Sequence, residues 1–301
     1  MAIELSKKLR VPIIDLHAHL REDVAYHTRI ARDSGIDFVV AMPNTTACLD
    51  TIGKIKEYSG RESAIPFAVT SAITKGRKGK KLVDITSVNK YVVGFTDDGN
   101  CLKDLGLLRE VLGTNSLVML HAGDDYPFDK WPRGTSESFW VDKYLALNLD
   151  VKGKLHLLHI SRKDSVDQVR EAKRDGISVT AETCPHYWKW TTDAMVIPVN
   201  PPIGSKKDRD AIRKGLSDGT IDIIASDYAP EPKPKGTGIA DWENYRGDCM
   251  HLVEDGIVTE DRLISLMYKN PMHIIMNSFG YQSGNIRIPA ELVLIDELPF
   301  G

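Results

Sequence analysis

The sequence predicts an α/β fold, a (β/α)8 barrel, and three observations predict it. Short apolar runs alternate eight times with stretches of helical character. The runs are apolar almost throughout, which marks strands buried on both faces, as in parallel sheets. Side chains of metal-ligand type stand at or just past the C-terminal ends of runs spread over the whole chain, and a ring of parallel strands gathers those ends on one face.

The first run, residues 11–16, leads into Asp15-Leu16-His17-Ala18-His19. A helical stretch at 23–33 then opens on Asp23, whose carboxylate can accept from the free N–H groups of a first turn. Residues 36–42 form the second run, which stops at Pro43, and residues 65–72 the third. The fourth, 92–96, ends in Thr96-Asp97-Asp98-Gly99 and is followed by a helix at 102–112. Residues 117–120 are the fifth run, with a helix at 136–147; residues 155–159 are the sixth, with a helix at 165–174. The seventh is 177–180, and a helix at 206–216 leads to the eighth at 221–226.

Crossover helices between successive strands require parallel pairing. An open doubly wound sheet is the competing architecture, but it serves its ligand from a few strands at one switch point. Polar signals here follow every run except the third, and a closed ring accounts for that. Beyond the barrel, residues 259–279 read as one or two helices, 280–288 as a turn and 290–295 as a final short strand. Residues 230–238, rich in Pro, Lys and Gly, are expected to form a mobile loop beside the site.

A chain of 301 residues suits one barrel domain, for which roughly 250 residues is typical. With 39 basic against 42 acidic residues, the net charge of -3 argues against nucleic acid or an anionic membrane as the main partner. No apolar stretch approaches the roughly 20 residues that span a bilayer, and residues 1–10 contain no signal-peptide core, so a cytoplasmic location is expected. Cys48, Cys101, Cys184 and Cys249 are widely spaced and form no Cys-x-x-Cys pair, which predicts reduced, structural cysteines.

His17 and His19 are two residues apart on a strand, so their imidazoles leave the same face and can share an ion. His121 follows the fifth run, His159 ends the sixth and Asp227 closes the eighth. Each has an ordinary alternative: Asp97-Asp98-Gly99 suits a turn, and a buried histidine can simply be hydrogen-bonded in a core. Independent accidents would have to place such residues at the same end of five strands. Four imidazoles and two carboxylates suit one or two Zn²⁺ ions. Asp97 is expected to bridge them, with Asp98 as the alternative, and Asp227 to serve as both ligand and proton carrier.

Several longer motifs accompany these residues. They are Asp15-Leu16-His17-Ala18-His19-Leu20-Arg21, Met42-Pro43-Asn44-Thr45, Phe95-Thr96-Asp97-Asp98-Gly99, Thr180-Ala181-Glu182-Thr183-Cys184-Pro185-His186, Asn200-Pro201-Pro202-Ile203 and Ala225-Ser226-Asp227. In this order they resemble the amidohydrolase superfamily and, within it, the dihydroorotases, over nearly the whole chain. The resemblance implies reversible, metal-dependent interconversion of dihydroorotate and N-carbamoyl-L-aspartate in pyrimidine biosynthesis. It implies that Arg21, Asn44 and Asn200 hold the substrate, with Arg21 suited to a carboxylate. His186 is expected to be structural, orienting Glu182 or a metal ligand. A second copy of the chain and aspartate carbamoyltransferase are the protein partners the resemblance suggests.

The chain also departs from the pattern. Tyr228-Ala229-Pro230-Glu231 stands where the family has His-Ala-Pro-His, and Glu231 would repel an anionic substrate unless it turns away. Relatives begin with several dozen residues of β-sandwich, whereas His17 leaves room for one short strand at most. The expected organisation is therefore a barrel over 1–279, with 280–301 as the remnant of a reduced or absent β-sandwich. A hydantoinase or allantoinase, and a non-catalytic scaffold for the carbamoyltransferase, are the rival readings.

Overall fold

A computed structural model describes residues 12–123, 135–194, 198–230 and 238–293. It contains strands β1 (Ile14–Ala18), β2 (Phe38–Ala41), β3 (Phe67–Val69), β4 (Leu117–Leu120), β5 (Lys154–Leu157), β6 (Val179–Thr183) and β7 (Ile223–Ile224). Every pairing is parallel, in two sheets ordered β1-β2-β3 and β4-β5-β6-β7.

Two sets of hydrogen bonds join these sheets into a ring. The predicted fourth strand is reduced to single bridges at Phe95, but it still spans the gap. The Thr96 N–H donates to the Ser71 carbonyl at 2.8 Å on one side, and the Phe95 N–H donates to the Leu117 carbonyl at 2.9 Å on the other. Gly94 permits that approach, since a Cβ there would stand 2.9 Å from the Leu117 oxygen. The opposite seam closes where the Asp227 N–H donates to the His17 carbonyl at 3.1 Å and the His19 N–H to the Tyr228 carbonyl at 2.8 Å. The fold is an eight-stave TIM barrel.

Helices cover the outside, and their starts follow the cap chemistry of the sequence. Asp23 accepts from the Tyr26 N–H to open Val24–Asp33, Asp104 caps Leu105–Leu112, and Ser205 and Asp208 form a reciprocal capping box on Lys206–Asp218. The helices predicted at 136–147 and 165–174 are longer, Thr135–Val151 and Lys163–Arg174.

Alternate strand residues divide the core in two, as a period of two requires. Ile14, Leu16, Phe38, Val40, Met119 and Ile223 share one cluster, while Val39, Ala41, Val69, Val118, Leu155 and Ala181 pack in the other. The tail belongs to the first cluster through Tyr268, Met272, Ile275, Ile286 and Leu292. Its predicted helices appear as Glu260–Ile264 and Asn270–Met276, joined by a π-helical turn over Ser265–Lys269.

The strand predicted at 290–295 does not form in its described part, because Ala290–Leu292 is a 3-10 turn. Pro289 supplies no N–H for a ladder, and the Leu292 carbonyl is taken by the Tyr268 hydroxyl at 2.9 Å. Residues 294–301 lie outside the described residues, as does most of the predicted mobile loop, 231–237 with Glu231.

Candidate metal centre

The C-terminal ends of β1, β4 and β7, the turn at Asp98 and the residue two beyond β5 converge. The donor atoms of His17, His19 and Asp227 lie within 4.8 Å of one another, and so do those of Asp98, His121 and His159. All six residues are buried. Asp98 spans the two groups, with carboxylate oxygens 3.5 Å from His17 Nε2 and from His19 Nε2, and 3.9 Å from His121 Nδ1 and from His159 Nε2. Asp227 Oδ1 stands 3.1 Å from His19 Nε2 and 3.5 Å from His17 Nε2.

The outer ring of hydrogen bonds fixes which imidazole nitrogens are free to ligate. His17 Nδ1 meets Glu182 Oε1 at 2.6 Å, and His19 Nδ1 meets the Asn44 side-chain oxygen at 2.8 Å. Each acceptor holds its proton on Nδ1 and leaves the Nε2 lone pair toward the cluster. His17 Nε2 is buried without a hydrogen-bond partner, 3.5 Å from a carboxylate oxygen of both Asp98 and Asp227. A buried orphan of this kind is rare, and between two buried carboxylates it fits a bound transition-metal dication.

Electrostatics follow from this packing. Burial opposes protonation of His17, but Glu182 and then Asp98 outweigh it and raise the imidazole well above its ordinary range. Burial would raise the Asp98 carboxyl, yet His17, His19 and His121 hold it well below the ordinary value. Asp227 is lowered in the same way against its burial, by the bond from His19 and the charges of His17 and His19. His159 is pushed down to about 3, chiefly by burial and then by His121.

Asp97 does not join the cluster. Its carboxylate accepts the Ile73 N–H at 2.9 Å, the Thr74 N–H at 3.0 Å and the Thr74 hydroxyl, so it fastens the loop after β3 to the turn that carries Asp98. Asp98, not the expected Asp97, therefore stands between the two groups of donors. Adjacent residues in an extended turn project to opposite sides, and the loop amides capture the first of the pair. Three residues at the site, Arg21 (φ 47°), His159 (φ 35°) and Asp227 (φ 49°), adopt the left-handed region without being glycine. Such strain concentrates at sites that the surrounding structure over-determines.

Above the cluster opens a cavity of about 610 Å³, lined by Arg21, Asn44, Arg77 and Asn200 together with His19, Asp98, His121, His159 and Asp227. Arg21 donates from Nη1 to the Asn44 carbonyl at 3.0 Å, and Asn200 Nδ2 lies 3.4 Å from His121 Nε2. Asn44 has a further part, since its amide donates to Asp98 at 3.2 Å while its oxygen holds His19.

Tyr228 does not face this cavity. Its ring stacks on Trp242 at 3.7 Å and 5°, and its hydroxyl meets His27 Nδ1 at 2.9 Å. His186 does not orient Glu182; it lies with Cys184 near Asp227. Glu182 is instead gripped by His17 and by His156 Nε2 at 3.1 Å, and is lowered to about 2 by those imidazoles against its burial.

Sequence reasoning did not single out His156 or Arg77, and gave Glu182 no contact with His17. A signal for Glu182 existed, since a carboxylate within an apolar strand demands partners. Arg77 carried none, because it lies in a Lys- and Gly-rich loop that reads as solvated surface.

No model of a known protein family matches the chain. It is 31% identical, over 323 aligned positions covering 92% of this chain and 76% of the relative, to a dihydroorotase of Desulfotalea psychrophila. A dihydroorotase of Ruminiclostridium cellulolyticum is 30% identical, with 94% and 76% covered. Among solved structures, an L-hydantoinase (dihydropyrimidinase) from Arthrobacter aurescens superposes with a TM-score of 0.76 at 20% identity, covering 92% of this chain and 74% of that one. A Saccharomyces cerevisiae dihydroorotase in complex with 5-fluoroorotic acid gives 0.73 at 16% identity, covering 91% and 86%. At these identities the structural likeness speaks for the fold.

Proposed function

The chain belongs to the dihydroorotase family, and we propose that it is a metal-dependent hydrolase that interconverts dihydroorotate and N-carbamoyl-L-aspartate. The observation that carries this reading is the pair of donor groups meeting at Asp98 beneath a cavity that also exposes Arg21. His17, His19, Asp98, His121, His159 and Asp227 would hold one or two zinc ions. When bound, the metal supplies a nucleophilic hydroxide at neutral pH and polarises the amide carbonyl.

The chain's own residues do the rest. Arg21, Asn44 and Asn200 bind the substrate carboxylate and fix the ring, with the guanidinium offering a charge-assisted pair. Asp227, a carboxylate and so ionised at neutral pH, accepts the proton of the attacking water and returns it to the ring nitrogen as the cyclic C–N bond breaks. Glu182 and Asn44 hold His17 and His19 in the ligating tautomer. A cytoplasmic location fits this chemistry, and among the described residues no helix is long and apolar enough to cross a membrane.

A second reading, a hydantoinase-type cyclic amidase, is motivated by Tyr228 and Glu231, which stand where dihydroorotases have histidines. The test is turnover of the zinc-loaded protein with dihydroorotate, carbamoyl-aspartate and a neutral hydantoin. Turnover of the acids, lost with Arg21→Met, is expected. Turnover of the neutral ring alone, unaffected by Arg21→Met, supports the second reading, and no turnover of any of the three sinks both.

A further inference from the structure

Asp227 is shared between two sets of ligand atoms. Besides His17 and His19, it forms a group with Cys184 and His186 in which one donor atom from each lies within 4.8 Å of the others. Cys184 follows β6 and His186 comes two residues later. Asp227 lines the large cavity, but neither Cys184 nor His186 is among the residues that do. His186 Nε2 is fully enclosed and has no hydrogen-bond partner. Burial pushes this imidazole down to about 4, so it presents a neutral ring at neutral pH.

We propose that Cys184, His186 and Asp227 form a separate, thiolate-containing site for a soft divalent cation such as Cd²⁺ or excess Zn²⁺, whose occupation inhibits the enzyme. The chemistry of the donors sets the ligand class. Sulfur, imidazole nitrogen and carboxylate oxygen together suit a borderline or soft cation and disfavour Mg²⁺ or Ca²⁺. Tetrahedral zinc bound at its usual sulfur, nitrogen and oxygen distances brings ligand atoms to roughly 3.5 Å from one another. Donor atoms already within 4.8 Å of one another therefore need to close by no more than about 1.3 Å.

Burial raises the Cys184 thiol well above its ordinary range, so it stays protonated until a cation arrives. Binding then exchanges one proton for one metal–sulfur bond, Cys–SH plus M²⁺ giving Cys–S–M⁺ plus H⁺, with the proton released to solvent. Inhibition follows because the carboxylate that completes this site is the one assigned above to proton transfer, a point that rests on the proposed function. A cation held by Cys184 and His186 draws that carboxylate off His19, which it now meets at 3.1 Å.

The test is a Cd²⁺ titration of the zinc-loaded full chain, reading thiolate-to-cadmium charge-transfer absorption and activity together. One thiolate-bound cadmium per chain is expected, saturating in parallel with at least an about ten-fold loss of turnover. Cys184→Ser should abolish the absorption and shift inhibition to about ten-fold higher Cd²⁺; His186→Gln, with the thiol intact, should weaken binding by a similar factor. Absence of the band in the unmodified protein overturns the proposal, and so does an undiminished band in Cys184→Ser, which would assign it to another cysteine. The band needs no turnover, so failure of this site and failure of the dihydroorotase reading are distinguishable.

Discussion

Asp97 and Asp98 are chemically identical neighbours with opposite duties, because backbone amides reach the first and imidazoles the second. Substitution should separate them. Asp98→Asn is expected to lose metal and to lower activity by about 10²-fold or more, with the fold retained, measured by metal analysis and a turnover assay. Asp97→Asn should keep its metal and instead lose stability by about 1–3 kcal/mol in a denaturant titration, since a carboxamide cannot satisfy three donors as a carboxylate does. Equal metal loss in both variants would refute the assignment of the bridge. The sequence left this choice open because a turn of the form Asp-Asp-Gly does not reveal which side chain its neighbours will capture.

At the scale of elements, the start of the first helix was legible because an Asp cap acts within one turn of its own position, as at Asp23, whereas the helix expected from residue 102 begins only after Asp104. The fourth stave was legible as an apolar run, but its reduction to bridges at Phe95 was not, since ladder length depends on both neighbouring strands. The described start of the final strand was misread because residues 290–295 end in an apolar run, while residues 290–292 follow Pro289 and pack as a turn against Tyr268. That tail seals the barrel through Gly280, where a Cβ would stand 2.6 Å from both the Val92 oxygen and Ile286 Cδ1. Gly280→Ala should therefore cost about 1–3 kcal/mol, read as a lowered Tm with metal content unchanged. A neutral result would mean that the tail can lift from the barrel.

At the scale of the whole molecule, burying so many ionisable groups ties stability to metal and to pH. Chelation should lower Tm by at least about 4 °C, because it leaves Asp98 and Asp227 buried without their dication. No shift on chelation would argue against a metal in this cluster. His186 has a folded value of about 4 against an ordinary 6.5, so the unfolded chain binds its proton first. Its contribution to stability is complete above pH 6.5 and is lost as the pH falls from 6.5 to 4. In the metal-loaded protein, His186→Gln should flatten the acid limb of the stability profile over that window, and an unchanged limb would contradict the burial argument.

The barrel, the order of its staves and the strand-end positions of His17, His19, His121, His159 and Asp227 were legible in the sequence. Those depend on apolar periodicity, turn chemistry and residue type, all of which are local. Only the tertiary structure decided that Asp98 rather than Asp97 faces the imidazoles, and that Tyr228 stacks on Trp242 instead of entering the cavity. It alone placed Glu182 behind His17, and Cys184 and His186 against Asp227. Each of these is a contact between residues distant in the chain or a choice between two faces of one turn, and such choices are made by packing.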